Sequence, residues 1–152
     1  MIDLRVMEIK DYEGVMSLWR GIEGFYIRGV DDSFDGMQKF LERNPSTNVV
    51  AVKNGEIIGS ILCGYDGRCA YLYHVCVKKE HRHRKIGKSM VEFVTLELKK
   101  LGATHINLVA FKTNEGGNLF WRELGWSFKD SLNLYECILD ANNTRTLNKN
   151  LE

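Results

Sequence analysis

The sequence predicts one α+β domain on a mixed, mostly antiparallel sheet of six to seven strands, flanked by about four helices. Three observations carry this reading. Apolar residues switch between alternation and helical spacing in the order β-α-α-β-β-β-α-β-α-β-β. Asn54-Gly55 and Asp66-Gly67 sit between strand-like runs as turn signals. The helical stretch from Arg84 to Leu101 separates two strands and must be a crossover, which makes part of the sheet parallel.

Taken in order, Ile2 to Met7 is a short strand, followed by a helix from Asp11 through Val15, Leu18, Trp19 and Ile22. Gly21 to Asp35 is rich in glycine and acids and reads as a mobile or ligand-shaping segment. A second helix, around Phe34 to Arg43, stops before Pro45, the only proline. Thr47 to Lys53, Glu56 to Gly64 and Ala70 to Lys78 then form a three-stranded meander. The long helix buries Ile86, Met90, Phe93, Val94, Leu98 and Leu101 on one face, and Gly102 caps it. Thr104 to Phe111 is a strand, Gly117 to Leu124 a short helix, and Leu132 to Leu139 a last strand, paired with one near Trp126 to Lys129. Residues 1–140 make the single domain, and the polar tail 141–152 is expected to fray.

The 152 residues, 44% of them hydrophobic, suffice for one real core and leave no room for a second comparable domain. Net charge is only +1, so no chain-wide field favours nucleic acid or an acidic membrane. The charge is uneven, however: residues 78–88 hold six Lys or Arg against Glu80, a local +5 that leaves the rest of the chain at −4. One compact basic turn with no aromatic inside it suits a point-like anion, whereas nucleic-acid surfaces spread charge and interleave aromatics. A nucleic-acid module is therefore the weaker reading, and neither nucleic acid nor membrane is an expected partner. Cys63, Cys69, Cys76 and Cys137 lack C-x-x-C spacing and read as free thiols of a reducing cytoplasm. His81, His83 and His105 lack ligand spacing, so no metal is expected.

The strand YLYHVCV runs into KKEHRHRKIGKS and the long helix. A strand, a turn and a helix N-terminus present free backbone N–H groups at the positive end of the helix dipole, which suits phosphate. Gly87 would let a ligand approach the main chain closely. With Val77, Glu80, Arg82 and Gly87 in V-K-K-E-H-R-H-R-K-I-G, this stretch resembles the V-x-P-E-x-R and R-x-x-G-x-G pyrophosphate loop of the GNAT superfamily of acetyl-CoA-dependent N-acetyltransferases. Lys79 replaces the usual proline and Lys85 the first loop glycine; Lys85 is accommodated if its φ stays negative, as in a first helical turn. Asn114 to Trp126 resembles the family's N-x-x-A-x-x-L-Y-x-x-L-G-F, with Gly117 for alanine and Trp121 for tyrosine.

The resemblance implies a GNAT-like sheet whose fourth and fifth predicted strands part around acetyl-CoA, the co-substrate. The main chain of Val75, Cys76 and Val77 would hold the pantetheine arm. Arg82 and the turn His83, Arg84, Lys85, Ile86, Gly87 and Lys88 would take the pyrophosphate. Asn114, Gly117 and Trp121 would form the far wall. The implied reaction moves an acetyl group to a primary amine of a small molecule or a peptide N-terminus by direct attack. A CoA-binding protein without turnover is the alternative, because an indole N–H donates a hydrogen bond but transfers no proton. The oxyanion donor would be a backbone N–H near Val75 or Cys76. Tyr73, His74 and Glu23 are the candidate bases; strict alternation puts Tyr73 with Tyr71, Val75 and Val77, and His74 with Leu72 and Cys76 on the opposite face. Glu23, Asp31, Asp32 or Asp35 would attract a cationic amine between walls of Phe25, Tyr26 and Phe34. Leu132 to Leu139 is a candidate edge for a homodimer.

Overall fold

The computed structural model describes residues 1–148. Strand β1 (Asp3–Val6) leads through a single 3-10 turn at Ile9–Asp11 into α1 (Tyr12–Arg20). The Arg5 guanidinium fixes that turn by donating to both Asp11 carboxylate oxygens, each at 2.8 Å. Strand β2 (Tyr26–Arg28) and helix α2 (Phe34–Arg43) follow, with the Ser33 hydroxyl accepting from the Gly36 N–H as the N-cap of α2. Strands β3 (Val49–Lys53), β4 (Glu56–Tyr65) and β5 (Ala70–Val77) form the expected antiparallel meander. Asn54 and Gly55 both take positive φ in the first turn, as a tight two-residue hairpin needs. Asp66 closes the second turn by accepting from the N–H groups of Arg68 and Cys69 at 2.7 Å.

Helix α3 (Ile86–Lys100) crosses over to β6 (Ile106–Asn107), which pairs parallel with β5; α4 (Glu115–Glu123) and β7 (Arg145–Leu147) complete the chain. The main sheet has the order β1-β3-β4-β5-β6. Its two faces carry separate cores. Val49, Ala51, Ile58, Ile61, Cys63 and Leu72 meet Met90, Val94 and Leu98 of α3 on one face. On the other, Val50, Leu62 and Cys76 meet Val15, Leu18 and Trp19 of α1 and Met37 of α2. Among the described residues no helix is long and apolar enough to cross a membrane.

Four helices and seven strands match the expected architecture, although the strands divide into sheets of five and two. The expected strands at Trp126–Lys129 and Leu132–Leu139 are absent, and the tail is where β7 pairs antiparallel with β2. Asparagines that made the tail look frayed are what bind it. Asn143 Oδ1 accepts from the N–H groups of Val30 and Asp31 at 3.0 Å, and Asn148 Nδ2 donates to the carbonyls of Trp19 (2.6 Å) and Ile22 (2.9 Å). The last four residues of the predicted tail lie outside the described residues.

Candidate functional site

Strand β5 does not alternate strictly. Its register against β4 pairs Leu62 with Tyr73 and Ser60 with Cys76, so His74 and Val75 together oppose Ile61. His74 takes φ +47°, a left-handed conformation that marks a β-bulge. The extra residue reverses the parity of the strand: Leu72 lies in the α3-side core and Cys76 in the α1-side core. Tyr73 and His74 therefore share the α1/α2 face, against the expectation from period-2 spacing. Tyr73 meets Phe40 edge-on at 6.0 Å, and His74 lies 4.4 Å from Trp19 and 5.3 Å from Phe25, centroid to centroid. Buried Ser60 pins the bulge, donating to the His74 carbonyl at 2.9 Å and accepting from Trp19 Nε1 at 2.9 Å.

His74 Nε2 lies 2.9 Å from Asp32 Oδ1. Asp32 is buried, at 4% exposure, and its second oxygen accepts from the Arg28 N–H at 2.7 Å. The Tyr12 hydroxyl donates to the Asp32 carbonyl at 2.8 Å, tying the loop to α1. A carboxylate only accepts, so Nε2 carries the hydrogen and Nδ1 of the neutral ring is the basic nitrogen. Asp32 is thus engaged inside the fold and is not an open attractor for a cationic amine. Asp31 is exposed, with Asn143 Nδ2 donating to its carboxylate at 2.9 Å, and Asp35 is exposed in the first turn of α2. Glu23 is exposed in the turn after α1, and no hydrogen bond among the described residues reaches its carboxylate. Burial, reinforced by the charge of Asp31, pushes the Tyr73 hydroxyl above its ordinary pKa, so this phenol keeps its proton and suits a donor better than a base.

After Val77 the chain makes a 3-10 turn at Lys79–His81, and Arg82 Nε straps it back by donating to the Val77 carbonyl at 2.9 Å. Lys85 is the N-cap of α3 with φ +63° and ψ +16°, and His83 also has φ +63°. The expectation of a negative φ at Lys85 fails because this residue precedes the helix and turns the chain into it. Two non-glycine residues in the left-handed region cost about 1–3 kcal/mol each, a strain that clusters at binding sites. No side chain caps α3, and the N–H groups of Ile86, Gly87 and Lys88 have no intrahelical acceptor, while Ser89 N–H returns to the Lys85 carbonyl at 3.0 Å. Arg82, His83, Arg84, Lys85 and Lys88 are exposed around them; Ile86 is buried in the core and offers only its main chain. Packing also limits position 87, where a Cβ would stand 3.1 Å from Phe120 Cε1.

Beyond Tyr71 and Asn107, β5 and the chain after β6 part company, so the edge of β5 from Leu72 to Val77 faces no strand. Val75 and Val77 turn their side chains to the α3-side core, leaving main chain along the gap. Cys76 is buried, and desolvation pushes its thiol up to about 12; Cys63 rises to about 11 for the same reason. Neither is a nucleophile at neutral pH. Across the gap, Asn114 caps α4 by accepting from Gly117 N–H at 2.9 Å, and a Cβ on Gly117 would come within 2.4 Å of the Asn114 amide nitrogen. Trp121 lies edge-to-face on Phe120 at 4.9 Å and tilted over Trp126 at 4.6 Å, against the α3-side core. Sequence reasoning missed the roles of Ser60 and Trp19 and the pairing of Asp32 with His74. The only available signal was the acidic pair Asp31-Asp32 in an aromatic loop.

Open backbone along one wall and an anion cradle at its mouth suit an extended ligand with a phosphate group at one end. The model of the acetyltransferase (GNAT) family matches residues 12–126, which include the bulge, the cradle and both walls of the gap. An acetyltransferase of Sodalis glossinidius is 28% identical over 131 residues, 86% of this chain and 91% of that protein. One from Pectobacterium atrosepticum is 25% identical over 139 residues, 91% and 97% of the two chains. Among solved structures, the PaiA N-acetyltransferase of Thermoplasma acidophilum in complex with coenzyme A superposes with a TM-score of 0.73 at 19% identity, covering 95% of this chain and 96% of that one. A predicted acetyltransferase of Clostridium acetobutylicum with acetyl-CoA gives 0.67 at 19% identity, covering 90% and 96%. The chain belongs to the GNAT family of acetyltransferases.

Proposed function

We propose that this chain moves the acetyl group of acetyl-CoA to a primary amine of a small molecule or peptide N-terminus, with His74 as the base and Asp32 as its positioning residue. The observation that carries the reading is the His74–Asp32 contact at 2.9 Å on a bulge of the strand that borders the gap. Members of the family take acetyl-CoA, and the residues present fit it. The left-handed turn at His83 and Lys85, the bare N-terminus of α3 and the exposed cations around it match its phosphates. The main chain of Val75, Cys76 and Val77, which faces no strand on the gap side although the Val77 carbonyl accepts from Arg82 Nε, suits its amide-bearing arm, with Asn114 and Trp121 on the far wall.

Bound there, acetyl-CoA supplies an activated acyl group and a thiolate leaving group. His74 accepts the proton of the attacking amine at Nδ1, while Asp32 holds the ring by Nε2 and stabilises the imidazolium. A backbone N–H at Val75 or Cys76 donates to the oxygen on which charge builds. Trp121 transfers no proton, but a thiol ionises near pH 8.5, so a thiolate departs without a strong acid. Tyr73 and Tyr71, with rings 4.9 Å apart, line the acceptor side together with Phe40, and Asp31 supplies negative charge at its rim. Direct attack in a ternary complex is favoured over a covalent relay because the buried thiols stay protonated. The proposed setting is the cytoplasm.

Calorimetric titration with acetyl-CoA and a thiol-release assay over an amine panel test this reading. Micromolar binding with turnover of at least one amine is expected. Binding without release from any amine would favour a CoA-binding protein, the reading that tryptophan at position 121 favours.

A further inference from the structure

Tyr26 and Phe111 stand on opposite walls of the gap, and their rings touch. The centroids are 5.1 Å apart with the planes at 59°, a separation at which two aromatic rings are in contact. Tyr26 belongs to the loop between α1 and α2, where β2 is paired with β7, and the Arg145 guanidinium lies 4.9 Å from the centre of its ring. Phe111 belongs to the chain beyond β6, and its carbonyl accepts from the Asn114 N–H at 3.0 Å and from Asn118 Nδ2 at 2.9 Å. Each residue is thus fixed to its own wall, one by a two-stranded ribbon and the other by the start of α4.

The contact crosses the gap at the level of the base. The walls part after the paired residues Tyr71 and Asn107. His74 is three residues beyond that fork on β5 and Phe111 four residues beyond it on the other wall, which is about 10 Å and at most about 13 Å of extended chain. Alternation along β2 sends Phe25 and Ile27 into the α1-side core, where Phe25 stacks on the His74 imidazole at 5.3 Å, and sends Tyr26 the other way, over the gap. The two rings therefore form a clasp that shuts one side of the opening beside His74. The other side, along Tyr73 and Tyr71, stays open, with Tyr73 46% exposed.

We propose that the Tyr26–Phe111 clasp selects the acceptor by shape, admitting a primary amine on an unbranched carbon and turning away one whose nitrogen-bearing carbon is branched. The inference rests on the acetyl-transfer reading and deepens it at the same site. An amine placed at His74 Nδ1 carries one chain out along Tyr73. A hydrogen in the second position on its nitrogen-bearing carbon clears the clasp, whereas a methyl group there needs the room that the two rings fill. One methyl group too many in a fitted apolar site lowers kcat/KM about ten- to two-hundred-fold. Neither ring is part of the two cores, and Phe111 is 49% exposed, so both can be truncated without opening the fold.

Thiol release with n-butylamine and with its isomer sec-butylamine, alike in composition and basicity, reads the selection as the ratio of the two kcat/KM values. The wild-type chain is expected to favour n-butylamine by about ten-fold or more. Tyr26→Ala and Phe111→Ala should each bring that ratio close to one with acetyl-CoA affinity unchanged, and Tyr26→Phe, which keeps the ring, should retain it. The double alanine variant should go no further than either single one, because each already opens the clasp. A wild-type ratio near one overturns the proposal, as does a ratio that both alanine variants leave unmoved, that Tyr26→Phe abolishes, or that falls by independent factors in the double variant. Calorimetric titration of the two isomers into CoA-saturated protein reads the same selection without turnover. A chain that releases no thiol with any amine sinks the acetyl-transfer reading; the clasp is then judged on the two affinities, and equal values overturn it.

Discussion

His74 and Asp32, 42 residues apart in the chain, meet at 2.9 Å in the core between β5 and the α1/α2 layer. Each is held by a second restraint: the His74 carbonyl by Ser60, and the Asp32 carboxylate by the Arg28 N–H. A pair fixed from both sides presents one nitrogen of the imidazole in one orientation. Preorganisation of that kind is what a base needs in order to be effective.

Replacing His74 with Gln is expected to lower kcat/KM by about 10²–10⁴ and to alter the pH-rate profile. Asp32→Asn should leave acetyl-CoA affinity unchanged while lowering kcat, because it removes the charge that stabilises the imidazolium and sets an amide NH2 against one of the two donors, His74 Nε2–H or the Arg28 N–H. The thiol-release assay separates the two, and a wild-type pH-rate profile in His74→Gln would remove His74 from the mechanism.

Ser60→Ala leaves the buried Trp19 indole N–H and the His74 carbonyl without their partner. Stability should fall by about 1–3 kcal/mol in denaturant titration. Turnover should fall with it, since the same hydroxyl holds the bulge; an unchanged kcat would separate the bulge from catalysis.

Lys85→Gly should move stability and affinity in opposite directions. Relief of the left-handed φ is expected to outweigh the added freedom of the unfolded chain and raise the melting temperature. Loss of the cation should weaken acetyl-CoA binding about two- to five-fold, in line with an exposed ion pair. Unchanged affinity by calorimetry would deny Lys85 a phosphate contact.

Gly87→Ala sets a methyl group about 3.1 Å from the Phe120 ring, a crowding expected to outweigh the helix propensity of alanine and to lower stability by about 1 kcal/mol. A second substitution, Phe120→Leu, should recover part of that loss. If the double variant is no better than Gly87→Ala, the glycine serves something other than this packing.

Burial pushes the thiols of Cys63 and Cys76 up to about 11 and about 12, above the ordinary 8.5 or so that they regain on unfolding. A raised pKa means stability that is complete below the unfolded value and lost as pH climbs towards the folded one. Thermal unfolding temperatures should therefore drop between about pH 8.5 and 12, and less steeply in Cys76→Ala. At pH 8 iodoacetamide should modify exposed Cys137 well before either buried thiol.

What the sequence determined by itself is local or periodic. Helix α2 runs from Phe34 to Arg43 as expected, because its cap, its apolar spacing and Pro45 all lie within a dozen residues. Asn54-Gly55 set the first hairpin, and the basic turn before an amphipathic helix marked the cradle. Only the tertiary structure decided which face each residue of β5 occupies. One bulge at His74 inverts every later side chain, and alternation in sequence carries no sign of an inserted residue. It also decided that Asp32, one acid among several in its loop, is the partner of His74. The asparagines of the tail and the apolar run at 132–139 were read in reverse for a similar reason. Polar residues can be held by the backbone groups of a distant loop, and a strand needs an edge to pair with, and neither partner can be read from the segment itself.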